Sequence, residues 1–223
     1  MRLYDIESGR EKHTFRDTIA MRSLAFSPDG RRVAAGNWEG ITQVWDVTTG
    51  ERTHRITGPD HSITGIVMTD DGERIITSCE DRTIRISHLE SGLPLLLLRS
   101  DSGGYMHLAL TPSKRFLVST TADGRVWMWS LERGDKWRTL KGHTDAVREV
   151  AVSADGQWIA STSARVDHAV RVWDAKKGRI VFVGESHTGD VTSVAFHPTR
   201  SQVVTGATDG TMRVWEVPAG PPR

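Results

Sequence analysis

Apolar positions along the chain fall in short runs of five or six residues, separated by turns that carry Gly, Asp, Ser and Pro. Residues 142–174 show the arrangement most completely. The turn Lys141-Gly142-His143-Thr144-Asp145 leads into Val147-Arg148-Glu149-Val150-Ala151-Val152, whose β-branched content and partial alternation predict a strand. The turn Ser153-Ala154-Asp155-Gly156 follows, and Trp158-Ile159-Ala160-Ser161-Thr162 predicts a second strand. After a loop holding Asp167, Val170-Arg171-Val172-Trp173-Asp174 predicts a third, closed by the turn at Lys177-Gly178. Three strands joined by tight turns make a meander.

The unit repeats along the chain. Trp45-Asp46, Ser87-His88, Trp129-Ser130, Trp173-Asp174 and Trp215-Glu216 share one register, at spacings of 42, 42, 44 and 42 residues. The excess of two is the insertion Ala164-Arg165. Six residues before each Trp position stand Glu39, Asp81, Asp123, Asp167 and Asp209. The turns Ser27-Pro28-Asp29-Gly30, Thr69-Asp70-Asp71-Gly72, Thr111-Pro112-Ser113-Lys114, Ser153-Ala154-Asp155-Gly156 and His197-Pro198-Thr199-Arg200 keep the same register. Agreement of several positions at one period makes the repeat the unit of the fold.

These residues make the chain resemble the WD-repeat β-propeller family over residues 3–217. The resemblance implies an all-β propeller of five WD repeats, at about 10–50, 51–92, 93–134, 135–178 and 179–217, with a stray strand at 1–9 and a Pro-rich tail at 218–223. It also implies that each Trp-Asp closes a third strand and that the next segment supplies the blade's outer strand: 10–16, 51–57, 93–99, 135–141 and 179–184.

Length and composition agree. A chain of 223 residues buries a sizeable core as a single all-β domain. The formal net charge is +1, with Arg and Lys scattered, so no basic stripe marks nucleic acid as a partner. The one cysteine, Cys79, falls on a predicted second strand, where a buried packing role is expected. The N-terminus has no apolar run of a signal peptide, and the leucines at 95–98 are too few to span a membrane. A reducing intracellular compartment is expected, cytoplasm or nucleus.

Leu3-Tyr4-Asp5-Ile6-Glu7-Ser8-Gly9 aligns with Val44-Trp45-Asp46-Val47-Thr48-Thr49-Gly50, so the chain begins on a third strand; Val214-Trp215-Glu216-Val217 is again a third strand. Two arrangements are open. Five blades close into a ring, with 10–16 pairing onto the Trp215 strand and the first nine residues displaced; or the chain is an open arc of a larger propeller. An arc exposes strand edges and apolar faces, so self-association is expected of it.

The resemblance also implies a hydrogen-bonded tetrad in each blade: a turn His, a Ser or Thr on the second strand, the loop Asp and the Trp indole. Two repeats keep it, as His143, Ser161, Asp167, Trp173 and His187, Thr205, Asp209, Trp215. Elsewhere Asp17, Pro59 and Asp101 stand at the His position, Glu39 replaces one Asp and Ser87 one Trp. A trio of His, Ser and Asp that recurs with the fold reads as a packing device, not a catalytic triad. Asp101-Ser102-Gly103-Gly104 resembles a serine-protease nucleophile segment, but no matching His motif precedes it. No zinc spacing or phosphate-cradling glycine loop is present, so no cofactor or metal is expected. His61, beside Asp60, reads as a solvated loop residue. The run 95–98 reads as blade packing with one or two exposed leucines, or as a protein-facing patch.

Function then rests on the loops at one end of the strands, and fold alone does not specify it. The family's top-face positions map to Ala20 and Arg22, Ser62 and Thr64, Gly104 and Met106, Ala146 and Arg148, Asp190 and Thr192, then Trp38, Glu80, Ala122, Val166 and Thr208. Trp38, Arg22 and Arg148 are of the types enriched in binding hot spots, and Glu80 gives the rim mixed charge. Trp38 alternatively packs on its own blade, and Trp127 reads as blade packing. The leading expectation is a non-catalytic scaffold that binds a protein or peptide with an acidic or aromatic anchor. The alternatives are a structural fragment of a larger WD-repeat protein without activity of its own, and an enzyme using the central channel.

Overall fold

The computed structural model describes residues 1–17, 19–58, 61–101 and 103–218. Pro59, Asp60, Ser102 and the tail from 219 onward lie outside the described residues, so the reading of Pro59 at a His position and the protease-like segment at Ser102 do too. Among the described residues every regular element is a β-strand, and all pairing is antiparallel. The chain divides into two units, Met1–Arg99 and Ser100–Arg223.

The first unit begins with β1 (Arg2–Tyr4) and β2 (Glu11–Thr14), which pair with each other. β2 is taken by β1, and Met1 and Leu3 pack against the cluster of Phe15, Val33, Ala35 and Trp45. A four-stranded sheet follows from β3 (Met21–Phe26), β4 (Arg32–Asn37), β5 (Ile41–Asp46) and β6 (Arg52–Thr57). A second comes from β7 (Ile63–Met68), β8 (Arg74–Cys79), β9 (Thr83–His88) and β10 (Pro94–Arg99). Ala34 and Val44 of one sheet pack with Ile63, Ile66, Met68 and Ile75 of the next.

In the second unit, β11 (Tyr105–Leu110), β12 (Phe116–Thr121), β13 (Arg125–Ser130) and β14 (Asp135–Lys141) form one sheet. β15 (Val147–Val152), β16 (Trp158–Ser163), β17 (Val170–Asp174) and β18 (Ile180–Gly184) form the next. β19 (Val191–Phe196), β20 (Gln202–Ala207) and β21 (Met212–Glu216) make a three-stranded sheet. The sheets meet through Val118, Met128, Val147 and Ile159 on one side and Ala160, Val172, Val194 and Val203 on the other. Space is tight at Gly142, where a Cβ would lie 2.8 Å from Ile180 Cδ1 and 3.0 Å from Trp173 Cη2.

The turn between first and second strands shows why its residues recur. The buried hydroxyls of Ser27 and Ser153 donate to Asp29 and Asp155 at 2.6 Å and accept backbone N–H groups five residues on at 2.9 Å. In the last sheet the ring of His197 takes over, its Nδ1 accepting from the N–H of Thr199 and of Arg200. On β10 the leucine run splits: Leu98 is buried and Leu96 half-buried, while Leu95 and Leu97 are exposed, as is Leu93 just before the strand.

Candidate functional site

Each innermost strand carries one extra residue relative to its neighbour, and those residues are Arg22, Thr64, Met106, Arg148 and Thr192. A β-bulge bends the strand and re-aims the extra side chain, so a register irregularity sets the direction of every one of these positions.

In the first unit three of the four selected residues converge. The Arg22 guanidinium carbon stacks 4.6 Å from the centre of the Trp38 ring, and its Nη1 donates to Ser62 Oγ at 2.9 Å and to the Glu80 carboxylate. Trp38 is 53% exposed, so the stacking guanidinium holds in place a ring that solvent still reaches. Thr64 departs from the expectation. It is buried, with its hydroxyl 2.9 Å from that of Ser78, because this bulge turns the short side chain back toward its own sheet. His61 is exposed, in line with a loop role.

In the second unit the bulge sends Arg148 toward the next sheet, where Nη2 lies 3.5 Å from Asp190 Oδ2. Asp190 is fixed from the other side by the Arg165 N–H at 2.7 Å. The inserted loop that carries Arg165 has positive φ at Arg165 (54°) and His168 (40°), and its tip, Val166, is 85% exposed. Met106 is half-buried, and Thr192 is exposed with its hydroxyl donating to Gly206 O.

The two full tetrads close into hydrogen-bonded chains. His143 Nδ1 lies 2.5 Å from Asp167 Oδ2 and its Nε2 2.8 Å from Ser161 Oγ, which also accepts from Trp173 Nε1 at 2.8 Å. Burial holds the His143 ring below the usual histidine range, hence neutral. His143 Nδ1 also lies 2.7 Å from Arg171 Nη1, so the ring, the carboxylate and the guanidinium meet at one point. Burial would raise the Asp167 carboxyl, but hydrogen bonds from His143 and Arg171 outweigh it and hold the group well below the ordinary range. In the last sheet His187 reaches Asp209 at 3.0 Å and Thr205 at 2.8 Å, and Trp215 Nε1 donates to Thr205 at 2.8 Å. The Thr211 hydroxyl and the Thr188 N–H keep Asp209 ionised to well below its ordinary pKa. Ser161 is fully buried, so its hydroxyl meets no substrate; the arrangement satisfies polar atoms between strands.

Two features escaped the sequence reading. Arg171, only 8% exposed, donates from Nη1 to Asp167 Oδ1 at 2.8 Å and Oδ2 at 2.6 Å. It stands two residues before Trp173, on the same strand face, a position shared with Gln43, Arg85, Trp127 and Arg213. In the first four-stranded sheet Gln43 fills it and donates to Asp17, the residue at the His position, which also accepts from Asn37. In the third, Trp127 is buried, stacks on Trp129 and lies 3.6 Å beneath Lys136 Nζ. The second feature is a pair on the innermost strands, His107 Nε2 and Glu149 Oε1, 3.8 Å apart. Burial lowers the histidine pKa and raises that of the carboxyl, whose other oxygen accepts from the Val194 N–H at 3.0 Å. Cys79 is buried, and desolvation pushes its thiol up to about 12, which suits packing and not nucleophilic chemistry. Among the described residues no three His, Cys, Asp or Glu side chains are grouped to hold a metal ion.

Residues 9–46, 50–86, 94–130, 134–174 and 178–216 each match the WD40 family, described as WD domain, G-beta repeat. The chain belongs to the WD40 repeat family. Protein tipD of Dictyostelium discoideum is 28% identical over 196 residues, which is 87% of this chain and 32% of that protein. A WD repeat-containing protein 26 homolog of Arabidopsis thaliana is 25% identical over 96% of this chain and 37% of its own length. A guanine nucleotide-binding protein subunit beta of Nicotiana tabacum is 25% identical over 89% of this chain and 56% of its own. The chain thus spans about a third to just over half of the length of these curated relatives. WD40 repeat proteins generally mediate protein interactions, and within this WD40 chain the two complete tetrads bind strands together in the two sheets that hold them. Among the described residues no helix is long and apolar enough to cross a membrane.

Proposed function

We propose that this WD40 chain is a non-catalytic interaction module that binds a protein or peptide at the bulged strand ends, with Trp38 as the anchor. The carrying observation is a large aromatic ring left 53% exposed yet held by the Arg22 guanidinium. A ring of fixed orientation loses little rotamer freedom on binding, which is what makes such side chains effective anchors. In the second unit Arg148, Met106 and Thr192 occupy the same bulge position, and they are that unit's own candidate contacts. The chemistry of the His, Ser and Asp sets is consumed in strand-to-strand hydrogen bonds, which supports a scaffold over an enzyme.

The test is selection of a phage-displayed random peptide library on the purified chain, with Trp38→Ala as the counter-target. Peptides that bind the wild type and fail on Trp38→Ala support the reading. Peptides that bind both equally remove Trp38 from the site.

A further inference from the structure

Both bulge arginines meet a carboxylate of the next sheet, but the two carboxylates are held differently. Asp190, opposite Arg148, also accepts the Arg165 N–H at 2.7 Å, so it cannot leave without abandoning a backbone donor. Glu80, opposite Arg22, has no other side-chain partner among the described residues, and its side chain is 43% exposed. The guanidinium it meets is held independently: Ser62 Oγ, in a residue 3% exposed, fixes Nη1 at 2.9 Å, and the Trp38 ring supports the guanidinium plane at 4.6 Å. Removing Glu80 leaves Arg22 oriented; removing Arg22 leaves the Glu80 carboxylate with no side-chain partner among the described residues. The fixed element of the site is therefore the cation, and the exchangeable element is the anion.

We infer that Arg22 is a carboxylate-recognition residue and that Glu80 is its internal competitor, displaced when a partner's carboxylate enters beside Trp38. This rests on the reading that partners bind at Trp38 and names their chemistry: a carboxylate from an Asp or Glu side chain or from a chain end, next to an apolar group that covers the indole. The exchange costs little. An exposed ion pair such as Arg22–Glu80 contributes little, and Glu80 regains water when it swings out. The incoming carboxylate meets a guanidinium whose rotamer is already restricted, the condition under which Arg–carboxylate contacts are selective. Arg148 offers no equivalent site, because its carboxylate is tied to the inserted loop.

The probe is the peptide pool selected on the wild-type chain, resynthesised singly in three forms: with each Asp or Glu changed to Asn or Gln, with a free C-terminus, and with an amidated one. Affinities are measured against wild type, Glu80→Gln and Arg22→Gln, each checked for an unchanged far-UV spectrum. Glu80→Gln should bind the acidic peptides about threefold more tightly, and Arg22→Gln should lose the preference for acid over amide. The amidated and amide-substituted forms tell a chain-end carboxylate from a side-chain one. Peptides that depend on Trp38 but are indifferent to loss of every carboxylate would overturn this inference and leave the Trp38 reading standing, as would weaker binding by Glu80→Gln. Peptides indifferent to Trp38 itself would remove both.

Discussion

The indole Nε1 of Trp173 donates to Ser161 Oγ at 2.8 Å, and both residues are buried, at 1% and 0% exposure. The same oxygen serves His143, so one hydroxyl holds two strands and a turn. Ser161→Ala orphans a buried N–H and a buried ring nitrogen at once. The expected loss is about 2–3 kcal/mol in urea-monitored unfolding, while Ser161→Thr loses less because the hydroxyl is kept.

Arg171 and Asp167 form an ion pair that is nearly closed to solvent, with side-chain exposures of 9% and 5%. Arg171→Met leaves the carboxylate without its cation and should cost about 3 kcal/mol. A double-mutant cycle with Asp167→Asn should show a coupling of about 2 kcal/mol between the two positions. Additive effects would mean that the pair does not act as a unit.

Acid sensitivity follows from the buried rings. His143 and His107 have folded pKa values below the unfolded one, so the unfolded state takes up protons first as pH falls through about 6.5. Their contribution is full above that value and declines below it. Asp167 and Asp209, depressed in the folded state, contribute fully above about pH 4 and fail below it. Glu149 runs the other way, because its raised pKa makes the folded state the better proton acceptor. Glu149→Gln keeps an acceptor for the Val194 N–H and removes a buried charge. It should raise stability at pH 7 and steepen the loss on acidification, read from denaturant midpoints across pH 4.5–7.5.

Leu95 and Leu97, at 55% and 42% exposure on an outer strand, contribute little to the core. Leu95→Lys with Leu97→Lys should leave the unfolding free energy within about 0.5 kcal/mol and reduce light scattering at high protein concentration. An unstable double variant would mean that the leucines are covered in solution.

The repeat made the strands legible, because a 42-residue period forces Trp45, Trp129, Trp173 and Trp215 into one register and alternation does the rest. Burial of Trp127 and Cys79 was readable for the same local reason. The unread features are contacts between sheets. Arg22 meets Ser62 forty residues on, and Arg148 meets Asp190 forty-two on, distances at which no local pattern speaks. Nothing in the strand around Arg171 marks its side chain as internal. Only the position of Asp167 and His143 against the same face shows it to be internal. Thr64 was misplaced because a bulge can turn a side chain either way, and chain length decides: the arginines reach across while threonine bonds to Ser78.

Isothermal titration calorimetry tests the central claim most directly, with a wild-type-selected peptide titrated into the wild-type chain and into Trp38→Ala. Trp38 is largely exposed, so its removal should leave the thermal midpoint unchanged while Kd rises at least about tenfold, or ~1.4 kcal/mol. Equal Kd values for two equally folded chains would contradict the claim that binding centres on Trp38.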